Sequence, residues 1–345
     1  MTDATRPLVR DLSEEDLLAR IFPLLPAGSA TVLGPGDDAA VVAAPDGRFV
    51  VTTDVLVEDR HFRRRWSGGD DVGARAATAN LADVAAMGAR PTSLVVSLVV
   101  PGDLPVDWVT GLARGLAGAC APVGAGVVGG DLSGGDAVVV AVTAHGDLEG
   151  RAAVTRAGAR PGDLLAYAGH RGLSAAGLAL LDAGAATAAD ATTVDDAVDA
   201  VGACVAGYLR PVAPLTAGPA AARAGATAML DVSDGLLRDA GRLARASGVG
   251  VDVEAEALAP DVERLLPAAR ALGPGRHVHA DAAREAALGW ALTGGEDHGL
   301  LAAFPGDAAL PEGFRRIGRV LPGPAGVTVD GAEPGVRGGW DHFGG

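Results

Sequence analysis

Acidic residues recur along this chain beside glycines or hydroxyl side chains, at the ends of short apolar runs. Six segments carry the pattern: Gly34-Pro35-Gly36-Asp37-Asp38, Thr52-Thr53-Asp54, Asn80-Leu81-Ala82-Asp83, Gly129-Gly130-Asp131, Asp231-Val232-Ser233-Asp234-Gly235 and Gly294-Gly295-Glu296-Asp297. Oxygen atoms are the ligands that Mg²⁺ prefers, and this ion usually takes one or two carboxylates and completes its shell with phosphate and water. The pattern therefore favours an enzyme in which Mg²⁺ binds phosphate groups.

Each segment also has a purely structural explanation. Glycine and aspartate at residues 34–38 are typical of a tight turn, hydroxyl side chains at 52–53 can form a side-chain turn, and Ser233 or Asp234 can cap a helix. Two adjacent acids such as Asp37 and Asp38 repel each other, however, and a turn needs one acid at most. The acidic residues therefore remain candidates for metal binding as well as for turn formation.

Asp83 is a more specific candidate because of its surroundings. Asn80 and Asp83 are three residues apart and share one face of a predicted helix whose neighbouring residues are nearly all apolar. We therefore expect Asp83 to be partly buried, and a buried carboxylate needs a partner. No basic residue follows it before Arg90, so a metal ion is a suitable partner.

Asp131 is a candidate phosphate contact. It follows two glycines at an expected strand end, where backbone amides can approach a phosphate. His61 lies beside Phe62, and a histidine beside an aromatic residue is typically a surface or packing residue. We expect His277 and His279 to lie in a loop.

The apolar pattern predicts an α/β domain over residues 1–150 that positions the first four segments. Ser13 is a suitable N-cap for a helix over 14–25. Strands that end in acidic or glycine-rich segments alternate with further helices, as expected for an α/β domain. The predicted strands are 31–42, 49–57, 94–100, 126–128 and 137–146, and the further helices are 71–88 and 107–121.

A second α/β domain is predicted over residues 151–345. The stretch 151–163 contains Gly158, Pro161 and Gly162 and marks the boundary. Residues 182–200 are rich in Ala, Asp and Thr, and we expect a helix and a mobile loop there. The other predicted elements are strands at 164–167, 228–230, 300–304, 316–321 and 326–329 and helices at 174–181 and 236–246.

Composition narrows the class of protein. The chain has 345 residues, is 49% hydrophobic with 51 glycines, and has a net charge of −15, all of which suit a soluble α/β enzyme rather than a nucleic-acid-binding protein. It contains no lysine, which excludes a P-loop, the protein-kinase strand lysine and Schiff-base chemistry. Phosphoryl transfer would therefore depend on Mg²⁺, arginine and backbone amides.

The location and the cysteines can also be predicted. Charged residues begin at Asp3 without an apolar region, and the longest uncharged stretch, 115–130, is too short and rich in glycine to cross a bilayer. We therefore expect a cytoplasmic protein with no membrane partner. Cys120 and Cys204 have no metal or redox spacing and are expected to be buried thiols.

Taken in order, the six segments resemble the thiamine-monophosphate kinase family, within the superfamily of aminoimidazole ribonucleotide synthetase and selenophosphate synthetase. The Asn80-Leu81-Ala82-Asp83 helix is shared across that superfamily. Thr53-Asp54 followed by His61-Phe62, and the tail Trp340-Asp341-His342-Phe343, resemble the kinase. The resemblance spans nearly the whole chain.

The resemblance implies a fold and an activity. The fold is a two-domain synthetase-like α/β (α+β) fold, in which the N-terminal domain has a mixed sheet that pairs in a homodimer and the C-terminal domain is α/β. The activity is ATP-dependent phosphorylation of thiamine monophosphate to the diphosphate, assisted by several Mg²⁺ ions. Direct in-line transfer suits an acceptor that is already a phosphate oxygen, with a phosphoenzyme as the alternative.

The resemblance also implies roles for individual residues. Asp54 and Asp131 would be catalytic, and metal ligands would be Asp38, Thr52, Thr53, Asp54, Asp83, Asp131, Asp231 and Asp234. Contacts to ATP would come from Gly130, Asp131, Arg156 and Ser233, and contacts to thiamine monophosphate from His61, Glu296 and Trp340.

One departure from the family pattern affects the substrate site. The family usually has Tyr-Glu after Gly-Gly-Glu-Asp, and this chain has His298-Gly299. Two alternatives also remain open from the sequence. One is another ATP-using enzyme of the superfamily, such as a ring-closing ligase or a selenophosphate synthetase, although the N-terminal cysteine and lysine typical of the latter are missing. The other is a non-enzymatic protein that binds divalent cations.

Overall fold

The computed structural model describes residues 7–35, 39–273 and 280–335 and contains two compact α/β units. Residues 1–84 and 90–151 belong to the first unit, and residues 85–89 and 152–345 belong to the second. The two-domain α/β fold class predicted from the sequence is confirmed. None of the helices in the described ranges is long and apolar enough to cross a membrane.

A four-stranded mixed sheet organises the first unit. Its strand order is β3-β6-β4-β5, with β4 and β5 parallel and the other neighbours antiparallel. The elements are α1 (Glu14–Ile21), β1 (Thr31–Leu33), β2 (Val41–Val42), β3 (Val50–Val57), α2 (Gly69–Ala86), β4 (Arg90–Val100), α3 (Val106–Cys120), β5 (Gly126–Gly134) and β6 (Val139–Asp147).

The two faces of this sheet have different surroundings. Val140 and Val142 are fully buried on the face that joins the helical core. Side chains alternate between the faces of a strand, so the odd-numbered residues of β3 lie on the opposite face. There Val51 and Val55 are 56% and 46% exposed, and Phe49 beside them is 58% exposed. One face of the sheet is therefore apolar and open.

The single strand predicted over residues 31–42 is wrong. β1 and β2 are separate short strands that pair antiparallel with each other. The segment that separates them contains Gly34 and Pro35, and proline cannot donate to a sheet ladder. Residues 36–38 of this segment lie outside the described residues.

A six-stranded sheet organises the second unit. Its strand order is β12-β9-β11-β7-β10-β8, antiparallel except for the pair β9 and β12. The elements are β7 (Leu164–Ala168), α4 (Leu173–Asp182), α5 (Ala200–Leu209), α6 (Ala217–Arg223), β8 (Ala228–Val232), α7 (Leu236–Ser247), β9 (Gly250–Val253), α8 (Ala259–Ala271), α9 (Ala280–Thr293), β10 (Gly299–Phe304), β11 (Phe314–Leu321) and β12 (Gly326–Val329).

Apolar side chains cover both faces of this second sheet. On β10, Leu301 and Ala303 belong to one buried cluster, whereas Leu300, Ala302 and Phe304 belong to another. This period of two places adjacent residues on opposite faces, and each face has its own core. The sheet is therefore a rigid support for the turns at its strand ends.

The helix predicted within residues 182–200 is wrong. Apart from the last residue of α4, the structure has a single turn of 3₁₀-helix at Ala188–Asp190 before α5 begins at Ala200. Asp190 closes that turn by accepting hydrogen bonds from the backbone and side chain of Thr187. Aspartate and threonine thus form local turns here, as their side chains compete with helical hydrogen bonding.

Helices α2 and α3 of the first unit approach each other closely through glycines. A Cβ atom added to Gly73 of α2 would lie 2.1 Å from the carbonyl oxygen of Leu112, and one added to Gly115 of α3 would lie 2.1 Å from that of Asp70. The contact is thus reciprocal and leaves no room for a methyl group. It fixes α2, which carries Asn80 and Asp83.

We predict opposite effects for two glycines of α3. Gly115→Ala should lower the free energy of unfolding by about 1–3 kcal/mol, because the added methyl group overpacks the contact with α2. Gly118→Ala should raise it by about 0.5–1 kcal/mol, because nothing lies within 4 Å of the new Cβ and alanine favours the helix. Chemical denaturation followed by circular dichroism measures both, and equal effects would contradict the close helix contact.

Candidate active site

Strand β3 and helix α2 bring together the first group of predicted residues. The Thr52 hydroxyl donates to Oδ2 of Asp83 at 2.8 Å, and the Asp54 amide donates to Oδ1 of Asn80 at 2.9 Å. Asn80 is 1% exposed, and its Nδ2 donates to the carbonyl oxygen of Ala76. The partial burial predicted for Asp83 agrees with the structure. These bonds hold Thr52, Asp54 and Asp83 next to one another.

β3 carries three of the predicted metal ligands, and they do not all lie on one face of the sheet. Thr52, Thr53 and Asp54 lie inside the strand, as in the predicted strand over 49–57, and form neither its end nor a side-chain turn. Thr53 faces away from Thr52 by the alternation of a strand, and its hydroxyl donates to the Val142 carbonyl oxygen and accepts from Thr143. The side chain of Thr53 is thus directed to the open face of the sheet.

Asp131 is not at a strand end either, and it lies far from Asp54 in the sheet. β5 continues beyond Asp131 to Gly134. β3 and β5 are the two edges of the sheet, with β6 and β4 between them. Adjacent strands are about 4.8 Å apart, so the backbones of the two residues are separated by roughly 14 Å. One copy of this sheet therefore does not bring the two carboxylates together.

Gly130 and Asp131 line a cavity of about 650 Å³ in the first unit. Its wall combines apolar side chains, among them Phe22 and Leu116, with polar ones such as His145. A Cβ atom at Gly130 would lie 2.0 Å from the carbonyl oxygen of Val96, so this position requires glycine. The cavity has the size and mixed lining of a small-molecule site.

His61 is held in a tight loop that follows β3. Its Nδ1 accepts a hydrogen bond from the Val57 amide at 3.0 Å, which leaves the proton of the neutral ring on Nε2. Phe62 beside it is 1% exposed and packs against Trp108, with ring centroids 6.4 Å apart. The loop therefore orients His61 as a donor through Nε2.

A second group of predicted residues lies in the second unit around the end of β8. Asp231 is buried, and its Oδ2 lies 3.7 Å from Nδ1 of His298. Burial acts to raise the pKa of Asp231, but the interactions with His298, Ser233 and Arg156 outweigh it and hold that pKa below its usual value. Asp231 is therefore ionised at neutral pH. Arg156 is close enough to influence it and is itself exposed.

Asp234 has partners that the sequence did not indicate. Its carboxylate contacts the guanidinium group of Arg242 and lies 3.8 Å from Nε of Arg238. The Asp234 amide donates to Oδ2 of Asp239 at 2.9 Å, and burial raises the pKa of Asp239 to about 6. A metal ion bound at Asp234 would share this carboxylate with two arginines.

Asp297 ties the segment 294–298 to helix α4. Its two carboxylate oxygens accept hydrogen bonds from the amides of Gly172 and Ser174 at 2.6 and 2.9 Å. On the other side, the Glu296 amide donates to the carbonyl oxygen of Ser233 at 2.8 Å. Glu296 and His298 have φ values of 67° and 53°, a conformation that costs energy for residues with a side chain. Sequence reasoning named Glu296 and missed Asp297, whose partners are more than 120 residues away.

The structure accounts for the glycine in the His298-Gly299 departure. A Cβ atom at Gly299 would lie 2.1 Å from the Tyr167 hydroxyl oxygen. That hydroxyl donates to the His170 carbonyl oxygen at 2.8 Å, and the Arg171 guanidinium lies 4.3 Å from the centre of the Tyr167 ring. The tyrosine thus fills the space that a glutamate side chain at 299 would need.

The described residues contain no ready-made cluster of three His, Cys, Asp or Glu side chains for a metal ion. Thr52, Asp54 and Asp83 nevertheless form an oxygen donor set of the kind that binds Mg²⁺ when phosphate supplies the other ligands. The residues present therefore fit Mg²⁺ together with a phosphate. The predicted ligand Asp38 and the predicted substrate contact Trp340 lie outside the described residues.

We predict that Asp297→Ala lowers the free energy of unfolding by roughly 2–5 kcal/mol, since two buried amides lose their acceptor. Asp307→Ala is the control, because Asp307 is exposed, and a change within about 0.5 kcal/mol is expected.

The stabilising effect of Asp297 should also depend on pH. Burial raises the pKa of Asp297 to about 6, so the folded state binds the proton of this carboxyl group more tightly than the unfolded state does. The wild type therefore loses stability as the pH rises toward 6. The effect of Asp297→Ala should therefore be larger at about pH 4 than at about pH 7. Denaturant titrations at both pH values check this, and a loss no greater than that of Asp307→Ala would contradict the role of Asp297.

Two family models match most of the chain. The N-terminal domain of AIR synthase related proteins matches residues 36–148, and the C-terminal domain of the same proteins matches residues 160–301. A solved structure of hydrogenase maturation protein HypE, 20% identical with a TM-score of 0.66, shares this fold.

Relatives that match nearly the whole chain are more specific. A thiamine-monophosphate kinase of Mycobacterium tuberculosis is 45% identical over 98% of this chain and 94% of its own length, and one of Corynebacterium glutamicum is 42% identical over 98% and 95%. The structure of AaThiL complexed with AMPPCP and TMP has a TM-score of 0.74 and 32% identity, covering 95% of this chain and 96% of that one. A thiamine-monophosphate kinase from Stenotrophomonas maltophilia has the same TM-score and identity over 93% and 96%. The chain therefore belongs to the thiamine-monophosphate kinase family of AIR synthase related proteins.

Proposed function

We propose that this chain transfers the γ-phosphoryl group of ATP to thiamine monophosphate and forms thiamine diphosphate. The observation that supports this most directly is the similarity over 98% of the chain to curated thiamine-monophosphate kinases. A related structure, AaThiL, has been solved with AMPPCP and TMP, which are an ATP analogue and the corresponding acceptor. The donor and acceptor proposed here are therefore of the same kind as the molecules bound in that structure.

The nucleotide is proposed to bind at Gly130 and Asp131. The cavity that these residues line has a volume of about 650 Å³, within the range of sites for molecules of nucleotide size. Its apolar wall suits a base. Arg156 and Ser233, the other two residues proposed to contact ATP, belong to the second unit.

Magnesium is proposed to bind at the oxygen donors of both units. Thr52, Asp54 and Asp83 form the group in the first unit, and Asp231 and Asp234 form the group in the second. Asp38, Thr53 and Asp131 complete the proposed ligand set. When bound, Mg²⁺ would offset the negative charge of the phosphates and orient their oxygens.

The acceptor needs positioning more than activation. Its phosphate oxygen is already a nucleophile at neutral pH, so direct in-line transfer needs no strong general base. His61 is proposed to contact the acceptor, and Glu296, whose backbone amide donates to the Ser233 carbonyl oxygen, is proposed to contact the cationic thiazolium. Trp340 is proposed to contact the same ring system.

A homodimer is proposed to form through the open face of the four-stranded sheet. Phe49, which directly precedes β3, and Val51 and Val55 within β3 expose large apolar side chains. Exposed apolar groups of this kind suit an interaction site. A second copy would cover this face, and a symmetric pair of sheets can also place the β5 edge of one copy near the β3 edge of the other. That arrangement would bring Asp131 toward the partner's Asp54, which one copy keeps apart.

The activity and the metal site are tested together. Wild-type protein with ATP, Mg²⁺ and thiamine monophosphate should form thiamine diphosphate, measured by chromatography. Asp83→Asn should reduce kcat/KM at least one-hundred-fold and leave the fold intact, because a nearly isosteric amide removes a negative ligand at the site of Mg²⁺ binding. Asp307→Asn should have no effect. Near-normal turnover by Asp83→Asn would exclude Asp83 as a metal ligand, and no product from the wild type would overturn the proposed function.

The dimer is tested by charge substitution on the open sheet face. Val51→Asp should convert the dimer to a monomer, because a carboxylate would be desolvated in the proposed interface. Val212→Asp is a matched control, since Val212 is 51% exposed and lies in the second unit. Sedimentation velocity measures the mass of both variants. A dimer that persists in Val51→Asp, or a wild-type monomer, would contradict the proposal.

A further inference from the structure

We propose that Asp261 and Arg171 are positioning residues for the acceptor, which hold the turn 295–298 in place and so set the affinity for thiamine monophosphate through the backbone. This role rests on the proposed function, because Glu296 of that turn is the proposed contact to the thiazolium. Asp261 belongs to α8, Arg171 lies between β7 and α4, and both belong to the second unit together with the turn.

One buried carboxylate joins three elements of the second unit. Arg171 is 3% exposed, its Nε donates to Oδ2 of Asp261 at 3.1 Å, and its Nη2 contacts the same oxygen. Arg315 of β11 contacts the other carboxylate oxygen, Oδ1. The Cζ atom of Arg171 also lies 4.3 Å from the centre of the Tyr167 ring. Asp261, Arg171 and Arg315 form an ion-pair group that fixes the β7–α4 loop relative to α8 and β11.

The ion-pair group is continuous with the hydrogen bonds that hold Asp297. Gly172 follows Arg171 in the chain, and its amide donates to Oδ2 of Asp297 at 2.6 Å. A Cβ atom at Gly172 would lie 2.8 Å from Cδ1 of Leu265, which is one turn after Asp261 on α8. The Gly172 amide is therefore held at the position that Asp297 requires, both by the Arg171 ion pair and by close packing against α8.

Asp297 connects this loop to the turn 295–298. Glu296 precedes Asp297, and the Glu296 amide donates to the carbonyl oxygen of Ser233 at 2.8 Å. A Cβ atom at Gly295 would lie 2.4 Å from the same oxygen. The turn is thus attached at one end to the segment after β8 and at the other, through Asp297, to the β7–α4 loop. A displacement of that loop therefore changes the direction of the Glu296 side chain.

The ion-pair group supplies orientation more than stability. A buried ion pair can lose more solvation energy than its attraction returns, and hydrophobic side chains of similar volume often stabilise a protein equally well. A planar guanidinium group that donates to a carboxylate through two N–H groups, in contrast, has a defined orientation. In this structure the orientation of Arg171 is passed to the backbone of the next residue, Gly172. Small displacements of a binding group reduce turnover strongly, so this orientation affects the proposed reaction.

The effect should be larger for the acceptor than for the nucleotide. Two of the proposed ATP contacts, Gly130 and Asp131, belong to the first unit, and Arg156 belongs to the segment before β7. Ser233 directly follows β8, which β10 holds in the sheet. A displaced β7–α4 loop should therefore raise KM for thiamine monophosphate more than KM for ATP.

The test compares Asp261→Asn with Glu263→Gln in the full-length protein. Asp261→Asn removes the charge that orients Arg171 and should raise KM for thiamine monophosphate roughly tenfold, whereas KM for ATP and kcat should change by less than about twofold. Glu263→Gln is the matched control on the same helix, because Glu263 is exposed and pairs with Arg284, and it should leave both KM values unchanged. Arg171→Lys should have a smaller effect than Arg171→Gln, since lysine keeps the charge without the planar donor group.

Hydrogen exchange measured by mass spectrometry separates positioning from general stability. In Asp261→Asn, a peptide that covers residues 172–174 should exchange roughly tenfold faster, because the bonds to Asp297 open more often. A peptide that covers β8 should keep its wild-type rate. Equal acceleration in both peptides indicates a global loss of stability and overturns the positioning role, as does unchanged exchange at 172–174.

A milder variant replaces Asp261→Asn if that protein fails to fold. Arg315→Gln removes an arginine whose side chain is 40% exposed, and it should raise KM for thiamine monophosphate roughly threefold, as expected for a partly exposed ion pair. An unchanged KM, or an equal rise for both substrates, overturns the positioning role while the kinase activity stands. If the wild type forms no thiamine diphosphate, the proposed function is wrong, and the exchange at 172–174 still tests whether Asp261 holds the turn.

Discussion

The neutralisation of carboxylates is the constraint on which this structure depends. The chain is strongly acidic and has no lysine, and several acids of the candidate site are partly or fully buried. An ionised carboxylate away from water is costly unless something compensates its charge. Four of these acids have identified partners: a threonine hydroxyl for Asp83, backbone amides for Asp297, a histidine for Asp231 and arginines for Asp234. Because these partners come from different elements, the acids also fix how those elements pack.

The same constraint explains why backbone strain is located at residues 296–298. Asp297 can reach the amides of α4 only from a chain that turns sharply, and Glu296 and His298 adopt positive φ values on either side of it. Two hydrogen bonds to a carboxylate are strong enough to outweigh that strain. The turn then presents Glu296 on one side and places His298 beside Asp231 on the other. The positive φ values of Glu296 and His298 are therefore the backbone conformation that lets Asp297 reach its two amide donors.

Sequence patterns predicted the features that depend on neighbouring residues. The apolar surroundings of Asp83 predicted its partial burial, and residues 233–235 form the turn between β8 and α7, with Asp231 inside β8. Features that depend on the register of a sheet were not predictable. Asp131 was expected at a strand end, whereas β5 runs through it, at the sheet edge opposite β3. Asp297 was missed because its partners, the amides of Gly172 and Ser174, are more than 120 residues away. Arg242 was missed although Asp239, one of its partners, is only three residues away on α7.

Residues 298 and 299 illustrate how a departure from a family pattern is compensated elsewhere in the chain. Gly299 is required here because the Tyr167 hydroxyl occupies the space beside it. Tyr167 is fully buried, and Arg171, which lies over its ring, is paired in turn with the buried Asp261. A glutamate at 299 would add a second buried acid next to this group and displace the tyrosine. His298 instead places an imidazole ring beside Asp231 without adding a negative charge. The exchange at these two positions therefore reduces the number of buried carboxylates that the second unit must compensate.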